Sequence, residues 1–409
     1  MKFTDLNLSD PITRSLKDQG YEKPTPIQTE VIPAILNKSD VMAAAQTGTG
    51  KTAAFVLPIL SMLSNPKNNY KGHQLRALIL TPTRELAAQV RESVNTYSKY
   101  LSIRSTAVYG GARIHNQRLK LRKGVDVLVA TPGRLLDLYN QKAVNFKNIE
   151  LFVLDEADQM LDMGFIHDIK KIANLLPDRR QNLMFTATFS NPFRKLAKEM
   201  ADKAIEISVT TDGEAGENIE HYCHPVDKSR KAELLIELIE TQNWDQALVF
   251  TRTKHGADRL QKQLEKVEIS AKAIHGNKTQ NNRMKALDAF KNNRVKILVA
   301  TDVAARGIDI KKMSQVINFD VPTVAKDYIH RIGRTGRGGD KGKAITLVSA
   351  DEFRLLSDIE KLLGQKLERV EIEGFEPEHV VPAKEKQKPK NKKFHNRGGF
   401  KNRRRSRKG

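Results

Sequence analysis

Nine short, mostly apolar runs of four or five residues punctuate the chain, and each gives way to a turn and then a stretch with helical spacing. They are VMAAA (41–45), ALIL (77–80), VLVA (127–130), LFVL (151–154) and LMFT (183–186), then ALVF (247–250), KILVA (296–300), VINF (316–319) and AITLV (344–348). Runs this short and apolar are strands buried on both faces. Strands alternating with helices give parallel sheets covered by helices, the α/β class. The polar, Gly-containing TTDGEAGEN (210–218) interrupts the alternation and reads as a linker. It divides the chain into 1–209 and 219–372, as expected for 409 residues, too many for one ordinary core. The halves share a strand–helix style, but no short sequence repeat is visible.

Hydrophobic content of 39% is enough for two cores. A single cysteine, Cys223, excludes a disulfide framework and points to a reducing, cytoplasmic compartment. MKFTDLNLSD lacks the apolar segment of a secretory signal, and the longest apolar runs are far short of a membrane span. The formal charge is +22. Lys384 to Gly409 holds thirteen Lys or Arg against one Glu, a net of +12, which leaves +10 for the rest. From 373 to 409 the apolar pattern fades and disorder is expected. Phe394 and Phe400 lie among these cations near an RGG triplet, a pattern that stacks bases while Lys and Arg hold phosphates. By charge alone a solubilising tail would look similar.

AAAQTGTGKTAAF (43–55) places a Gly-rich turn between an apolar strand and a helix, the context of a P-loop. Thr47, Gly48, Thr49 and Gly50 would point N–H groups at phosphate oxygens. Lys51 would reach the outer phosphates, and the Thr52 hydroxyl would ligate Mg²⁺. Ala45 stands where the general pattern has its first glycine. In LFVLDEADQML (151–161) a wholly apolar strand runs into Asp155, Glu156 and Asp158 with no Lys or Arg among them. Carboxylates crowded at the end of a buried strand call for a cation. Asp155 is the expected Mg²⁺ carboxylate beside Thr52, Glu156 the group that orients or deprotonates the attacking water, and Asp158 a coupling residue.

With Asp155-Glu156-Ala157-Asp158 the chain resembles the DEAD-box RNA helicases, and the resemblance runs from Phe3 to Arg337. It implies two tandem RecA-like domains, ATP as the nucleotide, and RNA held through its backbone with weak sequence preference. GYEKPTPIQ (20–28) resembles the family's Q motif, which implies that Gln28 bonds the adenine edge while Tyr21 or Phe3 packs on the base. Pro82, Thr83 and Arg84, then Gly110 and Gly111, then Thr131, Pro132, Gly133 and Arg134 resemble RNA-contacting segments. Small residues and helix starts at strand ends suit phosphates. Thr186 and Thr188, in TAT where most members have Ser-Ala-Thr, resemble the segment that couples hydrolysis to strand separation.

In the second half LVFTRTK (248–254), QNNR (280–283), VATDVAARGID (299–309) and YIHRIGRTGRGG (328–339) follow in family order. The resemblance implies RNA-backbone contacts at Arg252, Arg283 and Thr301, nucleotide contacts at Gly307 and Asp309 (the latter on the ribose), and coupling at His330. Arg334 and Arg337, spaced i and i+3, share a helix face and resemble arginine fingers for the transferring phosphoryl group. Phosphate loop and fingers lie in different halves, so a complete site requires closure around ATP and RNA, each favouring the other's binding. The expected product is local, non-processive duplex opening by a monomer, with RNP, RNA-decay or ribosome-assembly proteins as partners and no membrane. The compact core and short basic tail are most similar to bacterial members, the RhlE-type group among them. Alternatives are an ATP-gated RNA clamp or annealing protein, and a DNA-dependent translocase, against which the Q-motif resemblance and the DEAD form argue.

Overall fold

The computed structural model describes residues 1–45, 48–64, 72–209, 219–305, 313–336 and 342–378. Thr47, Gly307, Asp309, Arg337, the 210–218 linker and the tail from 379 lie outside the described residues. Fourteen strands are found among the described residues. The first half holds β1 (Val41–Ala44), β2 (Ala77–Leu80), β3 (Ser105–Val108), β4 (Val127–Ala130), β5 (Leu151–Leu154), β6 (Gln181–Thr186) and β7 (Ile205–Ser208). The second holds β8 (Ile219–Pro225), β9 (Ala247–Phe250), β10 (Ala271–Ile274), β11 (Ile297–Ala300), β12 (Gln315–Asn318), β13 (Gly342–Val348) and β14 (Glu368–Arg369).

The strands form two seven-stranded sheets, β3-β4-β2-β5-β6-β1-β7 and β10-β11-β9-β12-β13-β8-β14, with every pairing parallel. Renumbered from β8, the second order is identical to the first. The halves are therefore topological copies of one RecA-like unit, although their sequences show no repeat. The apolar strands work as expected: along β2, Ala77 and Ile79 enter the layer on one face of the sheet while Leu78 and Leu80 enter the other. All four are fully buried, and each large aliphatic side chain so buried contributes roughly 1.5–3 kcal/mol.

Because all strands run the same way, their carboxyl ends share one edge of each sheet, the edge where α/β proteins bind ligands. Residues 373–378, expected to belong to the tail, pack back on the second half. Arg230 donates to the Gly374 carbonyl at 2.7 Å and lies over the Phe375 ring, and the Glu378 N–H reaches Asp227 at 3.0 Å. No helix among the described residues is long and apolar enough to cross a membrane.

Candidate nucleotide and nucleic-acid sites

The strand order divides the carboxyl edge of the first sheet into two regions. The phosphate loop and the acidic turn follow β1 and β5, with β6 between them. Gly50 caps the Lys51–Leu63 helix at φ 92°, and a Cβ there would sit 2.4 Å from Gln28 Nε2. Glycine is thus required by both backbone and neighbour. The Gln28 amide is held between the Thr25 N–H, which donates to Oε1 at 3.0 Å, and the Gly50 carbonyl, which accepts from Nε2 at 3.2 Å. Through it the Pro26–Leu36 helix fixes the loop. Phe3 is buried in the first-half core, whereas Tyr21 is 46% exposed and lies beside Tyr97. Lys51 is buried at the helix start, its ammonium donating to the Ala45 carbonyl at 2.5 Å and the Thr186 carbonyl at 3.3 Å, with half-buried Thr52 next along the chain.

Asp155 and Glu156 are 2% and 7% exposed. Burial first, and then the neighbouring Glu156 charge, push the Asp155 carboxyl up to about 7, with Lys51 pulling the other way. A pair of carboxylates that resists carrying two charges is a donor set that a divalent cation relieves. Glu156 adopts a left-handed backbone, φ 54° and ψ 51°, which is rare for a side chain of this size and is concentrated at functional sites. This kink turns the chain from β5 into the Ala157–Asp162 helix. Asp158 then accepts from the Ala187 N–H at 3.0 Å, while the Thr186 hydroxyl donates to the Thr188 carbonyl at 2.8 Å. The acidic turn and the 186–188 turn are thereby one hydrogen-bonded unit.

The three segments with RNA-like signatures meet at the ends of β2, β3 and β4, neighbours in the sheet. Thr83 caps the Arg84–Tyr97 helix, accepting from the Leu86 N–H at 3.3 Å. Arg84 lies against Gly110 and Gly111; a Cβ on Gly111, at φ 76°, would stand 2.0 Å from its Nη1. Arg134, after Thr131, Pro132 and Gly133, donates to the Ala112 carbonyl at 3.1 Å. Two guanidinium groups thus converge on one glycine turn.

In the second half Arg252 stays exposed but is tied to its own half. Its N–H donates to Asp320 at 2.8 Å and its guanidinium to Glu352 at 2.7 Å and the Val321 carbonyl at 3.2 Å. Thr301 is buried after β11. Arg283 leaves its own half altogether: Nη2 pairs with Glu85 at 2.9 Å, and Gln280 Nε2 donates to the other Glu85 oxygen at 2.8 Å. Glu85 follows Arg84 directly, so the halves are bridged beside the first half's glycine turn. His330 and Arg334 line a small cavity with Phe250, Asp302, Asp327 and Arg331.

Sequence reasoning passed over Glu85, Gln280, Asp302 and Arg331. Arg331 is buried, with two hydrogen bonds to Asp302 (2.5 and 2.7 Å) and others to Asn318 (3.0 Å) and the Asp320 carbonyl (2.7 Å). It ties the Ala325–Ile332 helix to the Asp302–Ala305 turn. The available signal was an arginine in a helix whose neighbouring positions Tyr328 and Ile332 read as core.

The comparisons follow the same division. Residues 25–208 match the DEAD/DEAH box helicase family and residues 230–339 the helicase conserved C-terminal domain. The chain is 40% identical over 379 residues to the DEAD-box ATP-dependent RNA helicase RhpA of Helicobacter pylori, covering 93% of this chain and 76% of RhpA. It is 41% identical over 369 residues to CshA of Bacillus cereus, covering 90% and 69%. A point variant of S. cerevisiae Dbp5 bound to RNA and ADP BeF3 matches with TM-score 0.80 at 33% identity, covering 90% of this chain and 95% of that one. The same variant bound to Nup159, Gle1, IP6 and ADP matches at 0.62 and 31% identity, covering 90% and 96%.

Proposed function

Because the chain belongs to the DEAD-box ATP-dependent RNA helicases, we propose that its two edge clusters divide the work, one taking ATP and the other the RNA backbone. In the nucleotide cluster Lys51 and the N–H groups of Gly48 to Gly50 would hold the phosphates, and Gln28 would set the loop against the base-binding segment. Asp155 and Thr52 are the residues that would hold Mg²⁺, which takes one or two carboxylates together with substrate phosphates and, when bound, stabilises charge on the transferring group. Glu156 would accept the proton of the attacking water, and its left-handed turn fixes where that carboxylate points. Arg334, with Arg337, would supply positive charge from the second half.

The RNA track would run over Gly110, Gly111, Arg84 and Arg134 and cross to the second half at the Glu85–Arg283 bridge. The observation that carries the reading is the bonded route from Asp158 through Ala187 to Thr186, whose carbonyl also receives Lys51. A change at the phosphates is thus delivered to the turn expected to couple hydrolysis to strand opening. Opening would be local, because the contacts grip backbone and the cycle ends when the halves part. A reducing, cytoplasmic setting and kinship with the RhlE-type bacterial members complete the proposal.

Glu156→Gln tests it. The shape is kept while the proton acceptor is lost, so RNA-stimulated ATP hydrolysis should fall by about 10² to 10⁴-fold, with ATP and RNA binding intact. Hydrolysis at the wild-type rate would remove Glu156 from the chemistry. ATPase stimulated equally by RNA and DNA of matched length would remove the RNA assignment.

A further inference from the structure

The Ile114–Arg122 helix follows Gly111 closely and carries a charge pattern that folding does not explain. Arg113, Arg118, Lys120, Arg122 and Lys123 fall within eleven residues, and the chain has no Asp or Glu between Gly111 and Asp126. Asp126 itself is engaged elsewhere, by the Arg104 N–H at 2.8 Å and His73 at 2.6 Å. Among the described residues none of the five cations pairs with a carboxylate. Unpaired cations occur elsewhere on the surface too, Lys262 and Lys266 among them, but those stand beside Glu265, whereas this run has no carboxylate between Gly111 and Asp126.

A structural role accounts for only part of this. Lys120 and Arg122 in the last turn complement the helix dipole. Arg113 at the N-cap and Arg118 at the midpoint of the helix gain nothing from it, and the first turn has no acidic residue to offset Arg113. Gln117 and Leu121 are buried, so the helix docks by one face and leaves four of the five cations exposed and Arg118 half-exposed. The docking is rigid. Gln117 donates to the Tyr109 carbonyl at 3.0 Å, Arg134 reaches Ala112, and Arg104 donates to the Lys123 carbonyl at 3.0 Å. The helix packs on β3, the edge strand, and leads away from the glycine turn down the flank of the sheet.

We propose that this outward face is an accessory phosphate track, holding RNA that flanks the segment gripped at Gly110, Gly111 and Arg134. The inference rests on the RNA assignment made above for that turn. The nine-residue helix is about 13 Å long, which at roughly 3.4 Å per phosphate along one strand of a duplex spans about four phosphates, and fewer along an extended single strand. Its ligand is ribose-phosphate backbone, either a single-stranded extension or the end of a duplex arm. The track increases affinity for long RNA without reading sequence.

The test uses the full chain with a non-hydrolysable ATP analogue and three fluorescent probes: a short single strand that fills only the core track, that strand with a single-stranded extension, and that strand with a duplex arm. The combined variant Arg118→Gln, Lys120→Gln, Arg122→Gln should melt like wild type and bind the short strand equally well. Wild-type ATPase stimulation by the short strand checks the core RNA assignment separately. With one or both longer probes the variant's salt slope should be shallower by about two. Wild type would then lose roughly 16-fold more affinity than the variant between about 50 and 200 mM salt. Whichever longer probe responds identifies the source of the phosphates.

Unchanged slopes on both longer probes would overturn the proposal. So would an equal loss on the short strand, which would place the helix in the core track. The control removes the same charge elsewhere, with Arg259→Gln, Lys262→Gln, Lys266→Gln on the exposed face of the Lys254–Lys266 helix. It should leave the slopes on all three probes at the wild-type value. A loss of the same size there would make net charge the cause and overturn the track as well.

Discussion

The bridge from Arg283 to Glu85 gives a protein partner to a residue that sequence places on RNA, and the two roles predict opposite double-variant behaviour. Both Glu85 oxygens are used across the halves, and the Glu85 and Arg283 side chains are 2% and 10% exposed. Burial holds the Arg283 pKa down, and so does nearby Arg84, while Glu85 opposes them. Arg283→Met would leave a buried carboxylate with one neutral donor, a loss of about 3–5 kcal/mol if nothing moved. The halves can part, however, and return Glu85 to water, so the penalty falls on the closed state. At about 3 kcal/mol the closed-to-open ratio drops by roughly two decades. Apparent RNA affinity, measured with a non-hydrolysable ATP analogue, should weaken by about the same factor. Glu85→Gln should weaken it too, by stranding the arginine. The double variant should recover much of the loss, because a neutral pair leaves no buried charge. If Arg283 instead held RNA, its loss would lower the salt slope by about 0.7, Glu85→Gln would be harmless, and the double variant would be additive. That outcome would refute the bridge.

Gly111→Ala places a methyl group into the Arg84 guanidinium at a left-handed position worth about 1–2 kcal/mol; RNA binding should weaken severalfold with ATP affinity unchanged, and normal RNA binding would mean that Arg84 has no role there. His224 is buried, and burial lowers its pKa below 6.5 despite its contact with the Val370 carbonyl at 2.6 Å. The unfolded chain therefore takes up a proton near pH 6.5 that the native one refuses, so stability present above that pH declines as pH falls toward the native pKa, by at most about 1.4 kcal/mol per pH unit. Urea midpoints of His224→Gln should decline less over that window than wild type, and identical declines would exclude the residue. Lys231→Met should destabilise by roughly 3 kcal/mol by leaving buried Glu352 short of a cation, with much of that regained on adding Glu352→Gln; urea unfolding of the three chains decides, and a purely additive pair would show that the two groups act independently.

The parts of the fold that sequence revealed are those buried on both sides. All nine apolar runs lie on observed strands. The strands passed over are β3, β7, β10 and β14, which are the four sheet edges, together with β8. An edge strand has an open side, so Ser105 and Thr106, or Glu206 between Ile205 and Ile207, are tolerated and the apolar run disappears. β8 is interior yet carries Glu220, His221 and His224, and its signal was lost to polar residues whose partners come from elsewhere: Tyr328 and Gln365 for His221, Val370 for His224. The same limit governs the site. Lys51, Asp155 and Glu156 are legible because strand, turn and helix are contiguous. Glu85 to Arg283 spans 198 positions, and no local pattern records which cation a buried carboxylate will meet.

The duplicated topology also bears on why the proposed phosphate loop lies in one half only. Lys231 opens the helix after β8 as Lys51 opens the helix after β1, and β8 and β1 hold the same place in their sheets. Each ammonium donates to a carbonyl of the corresponding strand, Thr186 of β6 and Leu347 of β13. What differs is the anion. In the second half Val226, Asp227, Lys228, Ser229 and Arg230 replace the glycine loop, and Glu352 sets its own carboxylate on Lys231 at 2.5 Å while sharing it with Arg252. Burial pulls the Lys231 pKa down and Glu352 is the main influence opposing it, so the chain itself supplies the partner of this buried ammonium. Lys51 has carbonyls for neighbours and a glycine loop in front, which leaves phosphate to provide the anion. Nucleotide would complete in the first sheet an ion pair that the second sheet already contains: Lys231 is occupied by Glu352, so positive charge offered to ATP from that half would come from Arg334 with Arg337 and not from the counterpart of Lys51.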